Sequence, residues 1–100
     1  MNVRKFDKAL DQAVSDCPDC SPRNRLSFRL TLIARPAVRR EIRAYVKERA
    51  ELDFAEGVFG SDTIGDWLDN FERLLQLVVQ YLPQILEIVL SLFMEIPETE

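Results

Sequence analysis

The chain contains no histidine. That absence removes the commonest general base, most zinc and haem ligation, and the usual Ser-His and Cys-His nucleophile pairs. The N-terminus lacks a continuous apolar run: MNVRKFDKALDQAV alternates charged and apolar residues, which does not read as a secretory signal. A cytoplasmic or virion-associated location is therefore expected. Cations are nearly missing from the second half, where residues 51–100 hold eleven Asp/Glu against Arg73 alone. No catalytic or cofactor motif occurs. Carboxylate pairs such as Asp66/Asp69 or Glu72/Glu87 have no matching acid, base or metal ligand elsewhere, and helix capping or a solvated face accounts for them. The chain reads as a non-enzyme.

What is present is dominated by the stretch from Asp66 to Ile96. Its polar residues Asp69, Glu72, Arg73, Gln76, Gln80, Gln84, Glu87 and Ser91 recur at steps of three and four. At ~100° per residue they form one narrow stripe of a helix and leave an apolar arc of roughly 230°. A surface helix needs an apolar stripe only a little over ~100° wide. One hundred residues make a single small domain with limited capacity to cover such a helix. Partners are therefore expected, with Phe71, Leu75, Val78, Leu82, Ile85, Leu86, Val89 and Phe93 as an oligomer interface. The Gln/Glu stripe should stay wet, since a buried polar group left unpaired costs about 1–3 kcal/mol. Thr63-Ile64-Gly65-Asp66 has capping-box spacing at the start, Pro97 would stop the helix after Ile96, and Pro83 predicts a kink in its middle.

Upstream, Asn2–Ser15 predicts a helix, with Val3, Phe6, Leu10, Ala13 and Val14 at helical spacing and Asn2 as cap. Residues 16–24 form a loop containing Cys17-Pro18-Asp19-Cys20. Two thiolates at that spacing are half of a zinc site, which a dimer could complete by supplying Cys17 and Cys20 twice. Two plain loop thiols are the reading that asks least. The other alternative is a redox pair, since Pro after the first Cys resembles the glutaredoxin motif. The strand–loop–helix context of that motif is absent, however, and Asp16 and Asp19 would raise a thiol pKa. Arg25–Ile33 alternates, with Leu26, Phe28, Leu30 and Leu32 on one side and Ser27, Arg29 and Thr31 on the other. Period two predicts a strand. Ser21-Pro22 is also a helix start, and Leu26, Leu30 and Ile33 also fit a helical face. No second strand is evident, so a lone strand would have to pair with a symmetry copy.

Pro36–Phe54 predicts a helix with proline at its first position. Val38, Ile42, Tyr45 and Leu52 line one side, and Arg39, Arg40, Arg43 and Lys47 the other. Arg39, Arg43 and Lys47 are successive i,i+4 neighbours of like sign, a repulsion that an anionic partner would relieve. With Arg29 they are the candidate anion-binding residues. Residues 23–49 hold nine Arg/Lys against Glu41 and Glu48, so this basic segment could instead be neutralised by the acidic half. Gly57 and Gly60 mark a loop or hinge, from which Phe59 should tuck into the core.

The expected fold is mainly α. It is a small helical domain with a long, proline-kinked, amphipathic C-terminal helix and one short strand pairing across a dimer. It divides into 1–22 (helix and Cys/Pro loop), 23–54 (basic) and 55–100 (acidic). The order strand, helix, loop, helix from Arg25 to Leu82 is similar to the ribbon-helix-helix family of dimeric repressors. That resemblance implies DNA binding, with Ser27, Arg29 and Thr31 reading the major groove and Arg23 and Arg25 near phosphates. Against it stand a long inter-helix loop and Asp62, Asp66 and Asp69 at the start of the second helix, where acid repels DNA. Membrane association is a third class: Leu74–Phe93 is twenty residues long, the length of a span, but holds three Gln, Glu87 and Pro83. The leading expectation is a self-associating scaffold, virion-associated or adaptor protein without a cofactor, zinc apart, forming a homo-oligomer or binding a partner protein.

Overall fold

The structure, a computed structural model, describes residues 2–18 and 20–94. Five helices follow one another among them: α1 Val3–Ser15, α2 Pro22–Ala34, α3 Pro36–Ala55, α4 Ile64–Asp69 and α5 Phe71–Met94. Local chemistry fixes most of the starts. Asn2 Oδ1 accepts from Lys5 N at 3.1 Å and Ser21 Oγ from Asn24 N at 3.1 Å, each satisfying an N–H that a first helical turn leaves without partner. Pro22 and Pro36 occupy first positions, where a missing N–H costs nothing. Thr63 Oγ1 accepts from Asp66 N at 3.4 Å, as the capping spacing predicts.

Helix α5 is the element on which the others pack. Its pairing with α1 is the most extensive, α3 and α4 lie against it, and α2 bridges α1 and α3. The molecule is elongated, 51 × 23 × 22 Å. Phe6, Leu10, Leu32, Ile42, Leu74, Leu77 and Ile85 are its largest fully buried side chains. The loop after α3 closes over one end of this core. Gly57 and Gly60 take φ of 78° and 71°, a left-handed backbone that side chains disfavour. These turns bring Phe59 against Phe54, with ring centroids 4.5 Å apart, and against Trp67 at 4.9 Å. Phe59 does tuck inward.

Three expectations are corrected. Residues 25–33 are not a strand: they lie in α2, and no strand occurs among the described residues, so no ribbon pairs across a dimer. The reason is that α2 needs only Phe28 and Leu32, one turn apart, to face the core. The other members of the alternation, Leu26 and Leu30, fall on the opposite face of the helix and are left exposed.

The Asp66–Ile96 helix is not continuous either. Asn70 breaks it with extended dihedrals, φ −108° and ψ 120°. Its Oδ1 then accepts from Glu72 N at 2.9 Å and Arg73 N at 3.3 Å, capping α5 afresh. Lys5 Nζ donates to the Asp69 carbonyl at 2.8 Å and pins the break to α1. Pro83, by contrast, does not end α5, which runs through it. Pro83 is exposed, so the carbonyl it deprives of a donor lies on the wet side. Ile96 and Pro97 lie outside the described residues.

Third, among the described side chains, most of the apolar arc of α5 is covered by the chain's own helices. Leu74, Leu77, Val78, Tyr81, Leu82, Ile85 and Val89 are buried, an arc of roughly 140° at ~100° per residue. Phe71, Leu75 and Leu86 pack partly against it, and Val79, 49% exposed, is the large apolar exception among the described side chains of α5. Gln76, Gln80, Gln84, Glu87 and Ser91 are exposed, so the polar stripe is wet as its spacing suggested.

Candidate interaction surface

The residues expected to make an oligomer interface are used inside the monomer. Val78, Leu82, Ile85 and Val89 belong to the core, and Phe71, Leu75 and Leu86 border it. Phe93 lies outside the described side chains. A second chain could reach the first four only by displacing α1 or α3.

The candidate anion-binding residues separate into two pairs. Arg43 Nη1 stands 3.0 Å from Asp7 Oδ1, and Arg39 Nη2 stands 2.9 Å from Asp11 Oδ1. Arg39 Nε also donates to the Leu32 carbonyl at 3.0 Å, one of the last-turn carbonyls of α2 that lack a helical partner. Arg39 therefore joins α1, α2 and α3. The repulsion along the α3 arginine stripe is relieved internally, by aspartates of α1. Arg29 and Lys47 are exposed and stand outside every ion pair among the described residues.

Cys17 and Cys20 are joined to each other in a disulfide. In that state neither offers a thiolate to a metal, so the zinc alternative would require the bond to be reduced. No group of three or more His, Cys, Asp or Glu among the described residues could hold a metal ion. The closed loop is so short that its chain-entropy contribution is only about 2 kcal/mol.

The acid–phenol contact between α3 and α5 was not foreseen. Asp53 is 6% exposed, and its Oδ2 accepts from the Tyr81 hydroxyl, with Arg49 Nε 3.7 Å from Oδ1. Burial, and secondarily the hydrogen bond to Asp53, push the Tyr81 phenol well above its ordinary pKa of 10.0. Neither Asp53 nor Tyr81 lines the open depression beside Glu41, Tyr45 and Gln84 or the one over Asp7, Asp11 and Gln12. This contact is structural.

What remains is the outer face of α2. Arg25 Nη2 donates to the Cys17 carbonyl at 2.8 Å, and Phe28 and Leu32 are buried, so the helix cannot roll. Leu26, Leu30 and Ile33 consequently point away from the body, 59%, 55% and 72% exposed. They follow at i, i+4 and i+7, with Arg23 and Arg29 on either side of the stripe at ~100° per residue. Residues 21–40 contain six arginines and no acid. Arg39 is paired with Asp11, but α2 itself carries Arg23, Arg25 and Arg29 and no acid, so the stripe is an apolar ridge flanked by positive charge. The ribbon-helix-helix arrangement is lost in the same step: on a helix, Ser27, Arg29 and Thr31 do not share a face, and Thr31 Oγ1 is turned to the Ser27 carbonyl at 2.8 Å. The signal for the ridge was legible, since its spacing was evident and acids are missing around it, but the strand reading concealed it.

No helix among the described residues is long and apolar enough to cross a membrane. Comparison of the chain with protein-family models, curated proteins and solved structures gives no match.

Proposed function

We propose that the chain is a non-enzymatic, self-associating helical protein, a scaffold or adaptor component, whose contact surface is the outer face of α2 rather than the C-terminal helix. The observation that carries this reading is the row Leu26, Leu30 and Ile33, more than half exposed on a helix whose opposite face is locked into the core. Scattered surface leucines need no explanation, but three in one stripe form a patch of a few hundred Å², the scale on which monomers carry interaction sites.

A second copy offers a complementary surface. Glu48, Glu51, Leu52 and Glu56 share the exposed side of the last turns of α3, and Val58 follows them. Leu52 and Val58 are among the exposed large apolar residues. Apolar-with-acid would meet apolar-with-arginine. Two different patches can meet head-to-tail, building open chains or a ring, or reciprocally about a two-fold axis, closing a dimer. Each patch falls below the ~800 Å² per partner of a standard stable interface, so the association is weak and concentration-dependent.

Light scattering over a concentration series tests this. The mean mass should rise with concentration, fall back as salt is added, and stay monomeric for Leu30→Glu. Arg29→Glu should suppress association, and Glu51→Arg in the same chain should restore it. A mass that stays monomeric up to the solubility limit, or association that Leu30→Glu leaves intact, would sink the proposal.

A further inference from the structure

We propose that Cys17–Cys20 is a thiol–disulfide exchange site, with Cys20 the reacting sulfur and a small-molecule or protein dithiol, or its disulfide, the substrate class. This stands independently of self-association. The two sulfurs are placed unequally. Cys17 is 3% exposed and belongs to the hydrophobic core, whereas Cys20 is partly exposed at its margin. Exchange requires a thiolate to reach a disulfide sulfur, and Cys20 is the one within reach of solvent. Its position also favours its thiolate as leaving group. Cys20 directly precedes Ser21, the cap of the 13-residue helix α2, whose first turn contains Arg23 and Arg25 and no acid. The positive end of α2 favours a sulfur anion there, against the opposing charge of Asp19, which directly precedes Cys20 in the sequence. Asp16, on the other flank, is engaged by Gln12 Nε2.

Both ends of the loop are held by contacts other than the S–S bond. Arg25 Nη2 holds the Cys17 carbonyl, Cys17 N donates to the Val14 carbonyl at 3.4 Å, and Ser21 caps α2. With its ends held in this way, the opened loop should keep the two sulfurs near enough to close again, as the reoxidation test requires. In the reductive direction, a thiolate of the dithiol attacks Cys20 Sγ, the S–S bond breaks, and Cys17 leaves and takes up a proton. The second thiol of the reductant, deprotonated, then attacks the reductant's own sulfur in the mixed disulfide and releases Cys20 as thiolate. The protein gains two electrons, and the dithiol becomes a disulfide. The oxidative direction is the reverse.

The test uses the full chain in native buffer, poised in glutathione or dithiothreitol redox mixtures, with free thiols counted by maleimide mass-tagging. The expected result is reversible conversion between no free thiol and both free, without denaturant and without loss of the helical circular dichroism signal. In single variants treated with glutathione disulfide, Cys20 in Cys17→Ala should be modified at least about tenfold faster than Cys17 in Cys20→Ala. Reduction that occurs only in denaturant, a reduced chain that does not reoxidise, or equal modification rates at the two positions would each overturn the proposal. The wild-type titration decides the question even where a variant fails to fold.

Discussion

Replacing Tyr81 by phenylalanine removes one oxygen from the α3–α5 contact and leaves the buried ring in place. In the wild-type chain that hydroxyl donates to Asp53 Oδ2, and both side chains are more than nine-tenths buried. A hydrogen bond to a charged group contributes about 1.5–3 kcal/mol, and removing one partner exposes the full desolvation penalty of the other. Arg49, 3.7 Å away and half exposed, is a poor substitute. Tyr81→Phe should therefore cost about 1.5–3 kcal/mol, which for a domain of this size lowers Tm by on the order of 10 °C. Urea titration followed by Trp67 fluorescence and by circular dichroism measures it, since Trp67 is the chain's one tryptophan. Asp53→Ala alone should cost at least as much, and the double variant less than the sum of the two. The phenol adds a pH signature. Its folded pKa lies above the unfolded value of 10.0, so the folded state holds the proton longer. The stabilisation is complete below pH 10 and is lost as pH rises beyond it, at about 1.4 kcal/mol per pH unit from this group. Tyr81→Phe should remove that component of the alkaline slope. If Tyr81→Phe changes stability by less than about 0.5 kcal/mol and leaves the alkaline limb unchanged, the reasoning about this contact fails.

Two further outcomes follow from the helix starts and the arginine stripe. Asn70→Ala removes the cap of α5 and should cost about 0.5–2 kcal/mol in the same urea titration, with no gain of helical signal; a gain would mean that α4 and α5 fuse into the single helix their polar stripe suggests. Arg43→Gln should destabilise by about 1 kcal/mol, more at low salt than high, because the Asp7 pair is partly buried; no salt dependence would show that the pair does not tie α1 to α3.

The parts of the fold legible in the sequence are those where one period dominates. Helices α1 and α3 follow from apolar residues at steps of three and four behind a cap or a first-position proline, and the loop Gly57–Gly60 follows from its glycines. Helix α2 was misread because Leu26, Phe28, Leu30 and Leu32 satisfy both a strand face and two opposite sides of a helix. Only the tertiary partners of Phe28 and Leu32 distinguish them. Asn70 was hidden because Asp69 and Glu72 on either side of it keep helical phase, so the stripe reads straight past the break. The ion pairs of Arg39 and Arg43 and the Asp53–Tyr81 contact join residues 28 to 36 positions apart, a pairing that one sequence does not specify. The same lack of tertiary information made the α5 arc look unpaired. Its apolar width was read correctly, but the covering capacity of α1, α3 and α4 was underestimated.

Once α5 is covered internally, the charge pattern gives the remaining argument for association. Asp7 and Asp11 neutralise Arg39 and Arg43, but no acid lies on α2, so Arg23 and Arg29 keep their field. Glu51 and Glu56 lie ~22–30 Å along α3 from Pro36, by the rise of an α-helix. That is well beyond the ~8 Å screening length at physiological salt. The acidic end therefore cannot quench the positive field at the junction of α2 and α3 within one copy, although it can meet that field in a second. Charges so separated orient an encounter more than they tighten it. The exposed leucines and isoleucine must then supply the residence time. Salt should accordingly reduce the rate of association, while Leu30→Glu should act chiefly by shortening the lifetime of the contact.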